Sequence, residues 1–405
     1  MKALFRFPVR TQFFLCYGFI GCLLPYVVIY LQREIGMTDQ EIGWMLAFSS
    51  LSVMLSPLIL TALADTRISG RRLLGGIFLG SSLAMLLLVL WATPLAAFLC
   101  FGFHMFLFIS MLPLQDGLHF SVQERRRQSD EKTTPYHQVR VWGTIGFIVP
   151  SVILYFFLNQ GMGLSIVLYA AVLVGLLGFL NTLFLPDFPP GGAKPPGLAR
   201  RGPTLQAARV LLRPRVALFC LAMFFAHLAS TAYFGFYPLY LVREVGVSES
   251  QAGLIFNVGV VVEVFFILAF GWALRVFGLR RLMIIAAALT ALRMGILAAF
   301  PNLTMALVGQ ILHGLIVITL QVGPVVYLNS LAGEEFRNSI QGLYTVAIAG
   351  LSRVIGHLFA GQIAAHSLLL LYGIGALSFL LCSFLLLLFF RGATPEDGPP
   401  QAAPS

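Results

Sequence analysis

The chain has 405 residues, 59% of them apolar and 10% charged, and a net charge of +10. Soluble domains carry about 25% charged residues. No soluble fold of this length could bury so much apolar surface, which excludes an ordinary soluble enzyme, a disordered regulator and a small disulfide-stapled secreted scaffold. The mean hydropathy of +0.89 points to a chain that crosses a membrane many times.

A spanning helix needs about 20 mostly apolar residues. Twelve stretches meet that need: 11–31, 42–63, 72–92, 95–117, 140–159, 163–185, 215–241, 250–274, 281–300, 302–330, 341–364 and 368–391. The first is too long, and begins too early, for a cleaved signal peptide. The expected fold is an all-α membrane protein with an N-terminal six-helix half over 1–185, a central loop over 186–214 and a C-terminal half over 215–391. A disordered tail over 392–405 follows.

The basic residues lie mainly between the apolar stretches. Loops after even spans, with the two tails, hold 21 of the 26 Lys and Arg; loops after odd spans hold two, Arg33 and Arg243. That bias predicts both termini in the cytoplasm. It also reads the positive charge as topology, with no nucleic acid as partner. The five cysteines all lie in apolar stretches and are expected to pack there, neither bridged nor metal-bound. No cofactor or metal is expected.

An internal repeat is visible. YLQREIGMTDQEIG from Tyr30 and YLVREVGVSESQAG from Tyr240 agree at six of fourteen positions, 210 residues apart. Each follows the first span of its half. Two such halves imply a pseudo-two-fold axis along the membrane normal, an arrangement that places substrate near the midplane.

Twelve spans, the six-plus-six repeat and the loop ADTRISGRR resemble the major facilitator superfamily. Asp65, Arg67, Gly70, Arg71 and Arg72 match its signature between spans two and three, although Thr61 replaces the usual first glycine. The resemblance implies that this loop serves a cytoplasmic gate through charge contacts between halves. YHQVRVWGTIGFIVPS, AHLASTAYFGFYPLYL, GVVVEVFF, ALRMGIL and QILHG resemble the phenylpropionate permease group, related to oligosaccharide:proton and nucleoside:proton symporters. Membership implies a monomeric permease of the bacterial inner membrane moving an aromatic acid, nucleoside or sugar-like solute, together with protons, by alternating access.

Charges at membrane depth cost roughly 2.5–3.5 kcal/mol on insertion scales, so each is a functional candidate. Asp116 in span four and Arg140 opening span five match a carboxylate and an arginine that clasp sugar in the symporters. Trp142 follows as a stacking ring; a structural ion pair is the bland alternative. His227 and Tyr233 lie deep in span seven, Glu263 in span eight, Arg293 in span nine, Gln310 and His313 in span ten, Arg353 in span eleven. The symporters place a proton-binding carboxylate three residues after the histidine, where this chain has Ile316. Proton coupling therefore falls to Glu263 or Asp116. Glu263, Arg293, His313 and Arg353 all sit at similar depth, and at least three of them are expected to converge; a buried Glu263–Arg293 pair is the bland alternative. Three arginines against two acids leave one positive charge over, which favours an anionic solute.

No Walker P-loop, HExxH or GxSxG occurs, so no enzyme is expected. The competing class is a non-transporting scaffold, sensor or assembly factor on the same fold. The polar residues at midplane depth speak against it.

Overall fold

The repeated R-E-x-G segment is a helix terminus in both of its copies. Gly36 and Gly246 each have φ of 77°, the left-handed conformation that a side chain resists. Behind them Met37 N donates to Leu31 O at 3.0 Å, and Val247 N to Leu241 O at 3.1 Å. These are matching six-residue closures on the ends of the two helices. The helices that follow open alike. Thr38 N donates to Glu41 Oε2 at 2.8 Å, and Ser248 N to Gln251 Oε1 at 3.1 Å. The 210-residue repeat in sequence is thus a repeat of backbone geometry.

A computed structural model describes residues 6–130, 133–188, 201–332 and 337–391, and every regular element among them is helical. The six spans of the first half are Arg6–Leu23 continued by Val27–Arg33, Asp39–Thr66, Gly70–Leu90, Pro94–Phe108 continued by Met111–Gln128, Tyr136–Asn159, and Ser165–Thr182. Those of the second half begin with Pro214–Arg243. Glu249–Ala299 holds spans eight and nine, reversed at Gly278, whose φ is 69°. Spans ten to twelve cover Leu303–Leu331, Ser339–Ala364 and Leu368–Phe389.

Three features depart from the sequence reading. Span four runs eleven residues past the predicted end at 117, because hydropathy stops where the helix does not. Its last turn carries Arg125, Arg126 and Arg127, and cations there favour the helix dipole. Span five opens one turn early, at Tyr136, so Arg140 lies in its second turn. Part of the predicted central loop is helical, Arg201–Leu211. Residues 189–200 of that loop, and the tail over 392–405, lie outside the described residues.

The chain divides into two compact units, Met1–Pro196 with Ser248–Asn257, and Gly197–Val247 with Val258–Ser405. In the first unit, span one packs along spans five and six, and span three along span six. Glycine makes the closest approach possible. A Cβ on Gly146 would overlap the Phe14 carbonyl oxygen, and one on Gly21 the Phe147 carbonyl oxygen. Backbone therefore rests on backbone, the small-residue packing that membranes favour. In the second unit, span seven packs along spans eleven and twelve in the same way. There a Cβ on Gly356 would lie 2.8 Å from Thr231 and 3.0 Å from Leu228 O.

A further likeness joins the ends of the halves. Arg71 donates to Leu185 O at 3.3 Å at the end of span six, and Arg280 to Leu387 O at 2.8 Å at the end of span twelve. Each guanidinium meets carbonyls that the helix itself leaves unpaired.

Candidate functional site

Each unit builds its own polar centre around an arginine lying on a tyrosine ring. In the first unit the arginine is Arg140, whose guanidinium carbon is 4.2 Å from the centre of the Tyr17 ring. Gly143, one turn on, makes the room: a Cβ there would lie 2.6 Å from Tyr17 and 2.9 Å from Arg140 itself. Tyr136, one turn before Arg140, donates its hydroxyl to Asp116 Oδ1 at 3.0 Å. Asp116 and Arg140 are both half-buried, and no ion pair within 4 Å joins them among the described residues. They share a neighbourhood instead, with Tyr136 on the carboxylate and Tyr17 under the guanidinium. Both charges thus keep hydrogen-bonding capacity for a third party.

Sequence reasoning placed Asp116 and Arg140 together. It named Trp142 as the neighbouring ring, but the ring that covers the guanidinium is Tyr17. Tyr17, Tyr136 and Gly143 were missed. The signal available for two of them was spacing: Tyr136 and Gly143 lie one turn either side of Arg140 on its own helix. Behind this centre His119 is buried between Phe13 and Tyr136, with ring centres 6.3 and 5.6 Å away.

In the second unit the arginine is Arg293, fully buried, with its guanidinium carbon 4.0 Å from the Tyr233 ring centre. Gln310 Oε1 accepts from Tyr233 Oη at 3.1 Å and from Arg293 Nη2 at 3.3 Å. The cation is compensated by a π face and an amide carbonyl, while its Nε and Nη1 have no hydrogen-bond partner among the described residues. The His313 ring lies 4.9 Å from that of Tyr233. Its Nε2 is 3.7 Å from Glu263 Oε2. The imidazole is 3% exposed and the carboxylate 30%, so the pair connects open space to a buried ring.

The backbone around this centre is irregular where it must be. His313 sits at an interruption of span ten, where Leu312, His313, Leu315 and Ile316 donate three residues back instead of four. A π-helical turn follows at Ile318–Val322. Such turns are frequent at functional positions. Gly259, one turn before Glu263, leaves space for the cluster: a Cβ there would lie 2.5 Å from Gln310 Oε1 and 3.2 Å from His313. Sequence reasoning did not name Gly259.

Glu263, Arg293 and His313 therefore meet, with Tyr233 and Gln310 between them. The alternative of a Glu263–Arg293 ion pair does not describe this geometry, since the partner of Glu263 is His313. Arg353 does not join the cluster through any hydrogen bond or ion pair among the described residues. His357 lies one turn beyond it on span eleven, which packs along span seven beside His227, where Gly356 faces Leu228 O. His227 Nε2 is 3.3 Å from Tyr344 Oη, and both residues are buried.

Of the signature loop, Gly70 opens span three and Arg67 is exposed. Arg71 Nη2 and Arg72 Nε lie 3.5 and 3.7 Å from Asp187 Oδ2. Asp187 belongs to the same compact unit as these two arginines. The Asp65 side chain lies outside the described residues.

Comparison with known proteins decides the family. Residues 8–372 match the family model described as the MFS_1 like family. The chain belongs to that family. It is 27% identical over 354 residues to the maltose permease of Geobacillus stearothermophilus, covering 84% of this chain and 82% of the permease. It is also 27% identical over 351 residues to the "Probable 3-phenylpropionic acid transporter" of Escherichia coli (strain K12), covering 84% and 86%. Among solved structures, the nucleoside transporter NupG superposes with a TM-score of 0.83 at 18% identity, covering 95% of this chain and 98% of that one. The fold is that of the major facilitator transporters. The protein is a multi-pass membrane permease, a secondary transporter of small solutes, as the resemblance in its sequence implies.

Proposed function

We propose that this transporter is a proton-coupled symporter of the cytoplasmic membrane, with both termini in the cytoplasm. Its solute is a small ring-bearing organic molecule of the aromatic acid, nucleoside or sugar type. Asp116 and Arg140 are its binding groups in the first half, and the second half carries a polar group of its own at Gln310 and Tyr233. The observation that carries the coupling is the Glu263–His313 contact of 3.7 Å. A one-third-exposed carboxylate can take up a proton, and a buried imidazole beside it can hold or share that proton while solute is bound. Ile316, where related symporters place their carboxylate, cannot do so, and Glu263 fills the vacancy from a neighbouring span. The orientation rests on the 21-to-2 division of basic residues between the two classes of loop. The loop from Asp65 to Arg72 then lies on the cytoplasmic side, where it steadies one state of the gate.

The test uses proteoliposomes with an imposed pH gradient. Glu263→Gln is expected to abolish accumulation against a gradient while counterflow exchange of solute persists. A mutant that still accumulates solute would overturn the proton assignment. Impermeant thiol labelling of single cysteines at Arg33 and Arg243, but not at Arg126, is the expected pattern in intact cells. Labelling at Arg126 from outside would reverse the orientation.

A further inference from the structure

The short sequence Arg140-Val141-Trp142-Gly143 in span five recurs as Arg353-Val354-Ile355-Gly356 in span eleven. The two copies occupy the same place in their halves. Gly143 packs on the Tyr17 ring of span one, and Gly356 on Thr231 of span seven, the first helix of each unit. Arg353 is therefore the repeat-mate of Arg140.

The surroundings of the two arginines differ in one respect. Arg140 has a carboxylate in its neighbourhood, Asp116 from the preceding span. The span preceding Arg353, Leu303–Leu331, contains no Asp or Glu at all. Arg353 is half-buried and has no hydrogen-bond or ion-pair partner among the described residues. A guanidinium at membrane depth with no counter-charge is costly, and such a site persists where an anion arrives to complete it.

Span eleven packs along span seven beside His227, where a Cβ on Gly356 would lie 3.0 Å from Leu228 O, and the groups on these two helices suit an anion with two oxygens. The Tyr344 hydroxyl and His227 Nε2 meet at 3.3 Å. His357 stands one turn beyond Arg353 on the same helix. His227 is 2% exposed and His357 9%, and Nδ1 of each lacks a partner. A buried ring nitrogen left unpaired costs free energy unless something binds it. Between Tyr344 and Arg353 the helix widens into a π-helical stretch, Thr345–Gly350. That stretch resets the register that brings residues of both turns to one place.

We infer that Arg353, with Tyr344, His227 and His357, forms an anion subsite that takes the carboxylate of the transported solute, separate from the Glu263–His313 pair. The inference rests on the transporter reading above and narrows its solute to an organic acid. Arg353 offers the planar fork that matches a carboxylate. The tyrosine hydroxyl and an imidazole N–H can satisfy the remaining oxygen lone pairs. Arg293 is not the alternative anchor, because it is fully buried against Gln310 and the Tyr233 face, whereas Arg353 is half-buried.

The test measures equilibrium binding to the purified full-length protein, with no gradient imposed. The probes are 3-phenylpropionate, benzoate and hexanoate, each against its neutral amide. The wild type is expected to bind at least one acid about tenfold or more above its amide, the loss expected when a charge-assisted pair is missing. Arg353→Gln should bring acid and amide to within about twofold, and Arg353→Lys should restore part of the preference. Glu263→Gln should keep the preference although it loses accumulation, so failure of the subsite and failure of the coupling reading give different results. Equal binding of acid and amide across the wild-type panel overturns the proposal. So does a preference that survives Arg353→Gln while both Arg353 variants remain folded by thermal unfolding. Displacement of the acids by sulfate at equal concentration would leave an inorganic anion site and also overturn it.

Discussion

The two halves of this permease start from one plan and spend it differently. In the first, one arginine and one carboxylate share a neighbourhood, each with its own tyrosine, Tyr17 and Tyr136. In the second, the carboxylate and the repeat-mate arginine have parted. Glu263 has His313 as its partner, Arg353 lies on span eleven with Tyr344 and His357, and Arg293 occupies a third position against Tyr233. Duplication accounts for the common parts, the helix ends at Gly36 and Gly246 and the packing of the first helix on the fifth. The polar residues diverged on top of it. A half that keeps acid and base together can grip solute. A half that separates them can answer two ligands, a proton at one place and an anion at another.

The largest expected effect concerns the frame that both halves share. Gly146→Ala places a methyl group into the Phe14 carbonyl oxygen, and both partners are backbone that no rotamer can relieve. Overpacking of this kind costs roughly 1–3 kcal/mol and at times more. Gly356→Ala meets the Thr231 side chain at 2.8 Å and the Leu228 carbonyl oxygen at 3.0 Å, a milder overlap than the one at Gly146. Gly146→Ala is expected to leave little folded protein in the membrane by fluorescence-detected gel filtration, and Gly356→Ala most of it. Equal yields would mean that the two helix pairs do not differ in closeness as described.

The next effect separates the polar centres. Asp116→Ala and Arg140→Ala are expected to lower both uptake and exchange by about tenfold or more, since each removes a charged group from a site where charge-assisted bonds are worth about 1.5–3 kcal/mol. Gly259→Val should do the same from the second half by pushing Gln310 and His313 aside. Proteoliposome exchange measured beside accumulation is the check. If Asp116→Ala spares exchange as Glu263→Gln is expected to, the division between gripping and coupling fails.

Much of this was legible in the sequence. Twelve apolar stretches and the Tyr30 and Tyr240 repeat carry the fold, because membrane depth and helix termini leave strong marks on composition. Asp116, Arg140, Glu263, Arg293 and His313 were visible for the same reason: a polar group at depth is rare and needs partners. What stayed hidden is which partner each one has. Tyr17 carried no mark in a chain that is 13% aromatic. Arg353 sits at the depth of Glu263, yet depth does not say which way a helix face points, and the π-helical stretch at Thr345–Gly350 changes that direction. The helix Arg201–Leu211 was masked by the proline-rich segment before it.

The smallest effect is the finest test of the comparison. Arg140 lies over Tyr17 and Arg293 over Tyr233, at 4.2 and 4.0 Å. The contact itself needs only the ring, so Phe should serve in either place. The hydroxyls are not equivalent. Tyr233 donates to Gln310 Oε1, which also receives Arg293, whereas the Tyr17 hydroxyl has no hydrogen-bond partner among the described residues. Removing a buried hydrogen bond costs about 1 kcal/mol, roughly fivefold in an equilibrium constant. Tyr17→Phe should therefore change solute affinity by less than about twofold, and Tyr233→Phe should weaken it about fivefold. Tyr17→Leu, which removes the ring, should cost as much as Tyr233→Phe or more. Affinities from counterflow at several solute concentrations would settle the order. A Tyr17→Phe loss equal to that of Tyr233→Phe would show that the first half also uses its hydroxyl, and that the two arginine–tyrosine centres are closer in chemistry than their hydrogen bonds indicate.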